Sequence, residues 1–139
     1  MVTLTIRDIE IDDEAPMLLV GMGEYSNEEG LDIIFTANLR NNDYQENSNW
    51  PEGESYCVTD TEGLTSFGGV SEVDLKTNSV RIVFSEKTAR VMRLPDREIL
   101  FQFAPGVVDA NRLSSALKRI FTCGRPEYHP RLTGFQSEG

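Results

Sequence analysis

Tyr56 to Leu75 reads Y-C-V-T-D-T-E-G-L-T-S-F-G-G-V-S-E-V-D-L. A short strand-like segment, Tyr56-Cys57-Val58, leads into a polar turn, and Phe67-Gly68-Gly69-Val70 steps from there into a second strand. Two adjacent glycines at the mouth of a strand carry specific meaning. They predict a positive φ, a bulge, or another backbone or partner approaching so closely that a Cβ would clash.

Working downstream, Val70–Leu75 and Ser79–Phe84 read as strands joined by a Lys76-Thr77-Asn78 turn, with Val80, Ile82 and Phe84 on one face and Arg81 on the other. Ser85 is placed to cap a short helix, with Glu86 in its first turn where the helix dipole favours negative charge, and Pro95 to end it. Glu98–Ala104 alternates Ile99, Phe101 and Phe103 inward before Pro105-Gly106 breaks it. Asp109 caps the last helix, in which Leu113, Ala116, Leu117, Ile120 and Phe121 form one apolar stripe. Lys118 and Arg119 complement its C-terminal dipole, and Gly124 offers a stop. Residues 124–139 have no periodic pattern and read as an extended tail that either lies over the sheet or frays.

Upstream, Val2–Ile11 alternates as a half-buried strand with Val2, Leu4 and Ile6 on one face. Met17–Met22 is a short apolar run between Pro16 and Gly23, read as a buried strand. Asn27 to Gly30 makes a turn into Leu31–Leu39, a third strand in hairpin with the second; a helix competes there, because Ala37 and Leu39 are weak strand formers. Arg40–Glu54 is the longest polar segment and contains Tyr44 and Trp50; segments this long inside a compact domain are often functional. The expected fold class is α+β: a mostly antiparallel sheet of about six or seven strands, with two C-terminal-half helices packed on one face. At 139 residues, one domain spanning 1–139 is expected.

The net charge of −10 is unevenly placed. Residues 1–63 hold two cations, Arg7 and Arg40, against fifteen acidic residues, a net of −13; residues 64–139 hold eleven cations against eight acids, a net of +3. That argues against nucleic-acid binding, which rests on phosphate neutralisation by Lys and Arg. It suits a partner for a basic protein, since complementary fields speed association, and equally suits acidic loops that keep a small protein soluble. No apolar run approaches the roughly 20 residues of a membrane span, and the N-terminus has no secretory signal pattern. With only two cysteines, a cytoplasmic protein with reduced thiols is expected.

Catalytic patterns are scarce. His129 is the single histidine, flanked by Tyr128 and Pro130, a poor setting for a base acting on Cys57 or Cys123. There is no G-x-S-x-G elbow, no zinc-ligand spacing and no calcium-loop spacing, so neither metal nor cofactor is expected. Gly21-Met22-Gly23 begins like a nucleotide fingerprint, but Glu24, Glu28 and Glu29 follow it and would repel a phosphate. What remains is recognition: Asp43, Tyr44, Glu46, Trp50, Glu52 and Glu54 combine aromatic anchors with charge, the composition that binding hot spots favour. Trp50 plugging the edge of the core is an equally good account of that residue.

Tyr56-Cys57, Gly63, Phe67-Gly68-Gly69-Val70, Leu94-Pro95 and Leu117-Lys118-Arg119-Ile120-Phe121 occur in an order that resembles the immunity protein 10 family of bacterial polymorphic toxin systems. The resemblance covers roughly the C-terminal two-thirds; the first forty residues carry no family motif, and the tail after Gly124 runs beyond the usual closing helix. It implies a non-enzymatic, cofactor-free protein that binds a cognate secreted toxin domain and occludes or locks it. Were that toxin a nuclease, its basic substrate cleft would attract an acidic inhibitor. The rival from another class is a small enzyme or ligand-binding domain with a sheet-lined pocket near Tyr56, Cys57 and Gly68-Gly69. Homodimerisation through an exposed strand edge is compatible with either.

Overall fold

Period-two alternation places most of the apolar residues on strands, and the points where that alternation changes phase decide how the strands are grouped. The structure, a computed structural model, describes residues 1–12, 17–24, 32–38, 56–60, 62–122 and 128–135. Its elements are β1 (Val2–Ile6), β2 (Asp8–Asp12), β3 (Met17–Gly23), β4 (Asp32–Asn38), β5 (Cys57–Asp60), β6 (Thr65–Phe67), β7 (Val70–Leu75), β8 (Ser79–Phe84), α1 (Glu86–Val91), β9 (Glu98–Phe103), α2 (Ala110–Phe121) and β10 (Arg131–Thr133). The class is α+β, as the sequence predicts.

The strands form two five-stranded sheets instead of the one sheet expected. The first runs β1-β9-β8-β7-β10 and the second β2-β3-β4-β5-β6. Pairing is antiparallel throughout the second sheet and for β7–β8–β9; β1–β9 and β10–β7 are parallel. Two chain crossings create the division. The strand expected over Val2–Ile11 breaks at Arg7, whose N–H donates to Gly23 O across the second sheet, while Ala104 N–H donates to Ile6 O in the first. Leu4 and Ile6 face the core before the break and Ile9 and Ile11 after it, so the inward positions shift by one residue. Such a slip reverses every side chain of a continuous strand, and a change of sheet restores both sets to the interior.

The second crossing is the glycine step from β6 to β7. Gly68 and Gly69 have φ of +69° and +89°, and the register of β7 against β8 shifts between Val70 and Glu72, a bulge. The two apolar faces share one core. Phe35 of β4 stacks on Phe84 of β8 with ring centroids 6.5 Å apart, and Phe121 of α2 meets Phe35 and Tyr56 edge-on at 5.4 and 5.0 Å. Each such fully buried large side chain contributes about 1.5–3 kcal/mol.

Of the two helices, α2 packs on the second sheet against β2, β3 and β4 through its buried stripe Leu113, Ala116, Leu117, Ile120 and Phe121. Asp109 caps it by accepting from Arg112 N–H. Helix α1 is a single short segment capped by Ser85, and it buries Thr88 beside the glycine step. It ends in a Schellman-type turn with Arg93 N–H bonded to Arg90 O and Leu94 N–H to Ala89 O, which puts Arg93 at φ +54°. Pro95 follows that stop instead of causing it. Part of the tail lies on the first sheet: β10 pairs with β7 as its outermost strand.

Candidate partner-binding face

The quoted motif residues meet around one side chain. Tyr56 is wholly buried; its hydroxyl accepts from Val70 N–H at 3.0 Å, and its own proton lies within reach of Tyr128 O at 3.0 Å and Val70 O at 3.2 Å. One phenol thus ties the entry of β7 to the tail. Burial pushes its pKa well above that of an ordinary tyrosine, only partly countered by the Val70 bond. Tyr128 covers Gly68, and Thr88 fills the space a side chain at Gly69 would need. Thr88 Oγ1 is in turn 3.0 Å from both Ser66 Oγ and Ser85 Oγ. Where the rival reading expects a pocket, the side chains around Tyr56, Gly68 and Gly69 fill one another's space.

Cys57 and Phe67 belong to a different surface. They are paired across β5 and β6, facing away from the core, and Phe67 is 44% exposed. Burial pushes the Cys57 thiol up, with a weaker opposing effect from Thr59 Oγ1 at 3.6 Å, so the group is held as the protonated, poorly nucleophilic thiol. His129 is half-buried beside β10.

The outward rows of the second sheet follow from its register. One runs Asp12–Leu19–Thr36–Cys57–Phe67 and the next Glu10–Gly21–Ile34–Thr59–Thr65. A Cβ on Gly21 would meet only ordinary contacts, Ile34 Cγ1 at 3.7 Å and Glu10 Cβ at 3.8 Å, so the glycine leaves a shallow dip between Leu19 and Ile34. The edge strand β2 lines this surface with Asp8, Glu10 and Asp12, all exposed. Asp32 stands opposite Gly23 in the same sheet, and partial burial, then Asp8, then Glu24 push its carboxyl above the ordinary value.

Charge separates the two sheets. The five strands of the second contain five carboxylates (Asp8, Glu10, Asp12, Asp32 and Asp60) and neither lysine nor arginine. Asp60 is turned into its own loop, accepting from Glu62 and Leu64 N–H. In the first sheet Arg81 bridges Glu72 and Glu98 on the flanking strands, so its charges are largely paired within the face. Lys76, Lys118 and Arg119 line a groove of about 620 Å³ between α2 and the β7–β8 turn.

Asp43, Tyr44, Glu46, Trp50, Glu52 and Glu54 lie outside the described residues. In the chain they fall between β4 and β5, which are neighbours in the second sheet. The acidic edge Asp8, Glu10 and Asp12 and the apolar pair Leu19 and Ile34 were not picked out from sequence. A signal was present: between Asp8 and Leu75 the only cation is Arg40.

The family model for Immunity protein 10 matches residues 5–109. The chain belongs to the Immunity protein 10 family. The match takes in β2, β3 and β4, where no family motif was legible, as well as the glycine step and α1. It ends before Leu117–Phe121 and β10, so the last helix and the tail are features of this chain beyond the matched span. No curated protein matches the sequence. Among the described residues no helix is long and apolar enough to cross a membrane, and no group of three or more His, Cys, Asp or Glu side chains is arranged to hold a metal ion.

Proposed function

We propose that this immunity-family chain is a stoichiometric inhibitor that acts in the cytoplasm, without catalysis or cofactor, by binding a cognate toxin domain and blocking it. Family membership over residues 5–109 is the observation that carries this reading. The charge arrangement supports a basic partner, such as a nuclease domain with a cationic substrate cleft. Residues 1–63 hold a net of −13, and a field of one sign raises the rate of encounter with a surface of the other.

Asp43, Tyr44, Glu46, Trp50, Glu52 and Glu54 are proposed as contacts, with the aromatics as anchors and the carboxylates steering. The test is co-expression with the toxin domain encoded at the same locus. A one-to-one complex and restored growth are expected; absence of both overturns the reading. Within a complex, neutralising Asp43, Glu46, Glu52 and Glu54 together should slow association at low salt and flatten its salt dependence. Unchanged association rates would remove this segment from the interface.

A further inference from the structure

The outward face of the second sheet has a composition that water alone does not explain. Leu19, Ile34 and Phe67 project away from the core from three different strands, with Gly21 leaving a dip between the first two. Leu19 and Ile34 flank Gly21 on adjacent strands, and Phe67 stands apart from them on the far edge strand, beyond Thr36 and Cys57. Apolar side chains grouped within a polar rim mark a contact surface, whereas single ones are ordinary. The border is the β2 edge, where Asp8, Glu10 and Asp12 occupy alternate positions, about 7 Å apart along a strand. That repeat matches cations at alternate positions of an extended segment.

The backbone edge of β2 is itself partly occupied, since Arg112 of α2 donates to Ile11 O at 2.9 Å. An added strand is therefore disfavoured there, and recognition falls to the side chains of the face. The first sheet offers a partner less. Its Arg81 is bridged to Glu72 and Glu98, so that face presents mixed and mutually paired charge where the second sheet's strands carry carboxylates alone.

We infer that the outward face of β2–β6 is the docking surface for the toxin, and that its occupant is a cationic protein face with an apolar knob seated over Gly21 between Leu19 and Ile34, a separate apolar contact at Phe67, and lysines or arginines along Asp8, Glu10 and Asp12. This rests on the immunity reading and narrows it to described residues. Apolar contact at the centre supplies residence time, and the acidic edge supplies orientation and speed of capture.

The test uses the full chain and the toxin domain encoded at its locus, with affinity measured by calorimetry or surface binding. Phe67→Ala removes an exposed anchor, and Gly21→Lys places a long cation in the dip, where a new Cβ meets only ordinary van der Waals contacts. Each should weaken binding about 30-fold or more. Glu10→Lys, at an exposed edge position, should slow association most at low salt. Gln102→Lys on the outward face of the first sheet should leave affinity within about twofold. Melting curves of the free variants report whether Gly21→Lys has disturbed the fold, and Phe67→Ala and Glu10→Lys decide the matter if it has. A wild-type complex that neutralises toxin but tolerates all these changes overturns the inference and leaves the immunity reading standing. A wild-type chain that neither binds nor rescues overturns both.

Discussion

Replacing Gly69 by alanine tests the claim that the step between the two sheets is closed by Thr88. The new Cβ would overlap Thr88 Oγ1 outright and stand 3.0 Å from its Cβ and 3.1 Å from Ser66 Oγ. Thr88 is 3% exposed and held by hydroxyl bonds to Ser66 and Ser85, so it has little freedom to retreat. Three costs follow. A left-handed conformation at φ +89° costs a non-glycine residue about 1–2 kcal/mol. Overpacking adds about 1–3 kcal/mol, and a lost hydroxyl bond about 1 kcal/mol. Their sum, about 3–6 kcal/mol, is a large part of a typical domain's 5–15 kcal/mol. Urea unfolding followed by circular dichroism measures it as a fall in midpoint at constant slope. Adding Thr88→Ala should recover the overlap but not the backbone strain, giving a coupling of roughly 1–3 kcal/mol in a double-mutant cycle. A Gly69→Ala protein within about 0.5 kcal/mol of the parent, or additive effects of the two changes, would refute the reasoning.

Tyr56→Phe strips the hydroxyl from Val70 N–H and Tyr128 O and should cost about 1–3 kcal/mol in the same assay. Because the folded state raises the Tyr56 pKa, its contribution is complete below the unfolded value near pH 10 and is lost as the pH climbs above it. An ultraviolet pH titration should therefore show one of the four tyrosines ionising only as the chain unfolds. Arg93→Gly should raise stability by about 0.5–1 kcal/mol, since Arg93 sits at φ +54° in the stop of α1; an unchanged or lower melting temperature would count against that strain. Asp32→Asn removes a carboxylate that burial and its neighbours Asp8 and Glu24 disfavour, so it should stabilise the free protein at neutral pH. The gain should vanish as the pH falls through the raised Asp32 pKa and the native carboxyl takes up its proton; a pH-independent effect would show that charge is not its origin.

Local features of this chain are legible in its sequence wherever the cause lies within a few residues. Ser85 and Asp109 cap their helices through their own side chains, and the α2 stripe is buried as its spacing predicts. The glycine pair announces an unusual backbone, but the partners that demand it, Thr88 and Tyr128, come from α1 and the tail, which no local pattern ties to β7. The three residues of β10 have no alternation to betray them; pairing with β7 makes them a strand. The division into two sheets was half visible. The inward positions pass from Leu4 and Ile6 to Ile9 and Ile11, a phase change that one strand cannot accommodate, but it does not say which strands receive each half. For the candidate partner-binding face, the scarcity of cations before Lys76 is plain in sequence. Which side chains share a surface is not, because that follows from register among β2 to β6.

The two crossings also explain how the strands of the acidic half come to share one sheet. The chain leaves the first sheet at Arg7 and returns to it at Gly68-Gly69, and every strand built between those points belongs to the second. The strands built from the acidic part of the sequence thus share one sheet in space. Most of the cations come after the return, on the first sheet, on both helices and in the loops beside them. On the proposed reading a partner approaching the β2–β6 face meets carboxylates on strands that carry no lysine or arginine. Asp32, raised by partial burial first and then by Asp8 and Glu24, is one whose charged form arriving cations would favour. On that reading the carboxylate that the free protein disfavours is one that the complex would favour. Asp32→Asn should therefore stabilise the free chain and weaken its hold on a basic partner, a pairing of opposite effects that a purely structural role for Asp32 would not produce.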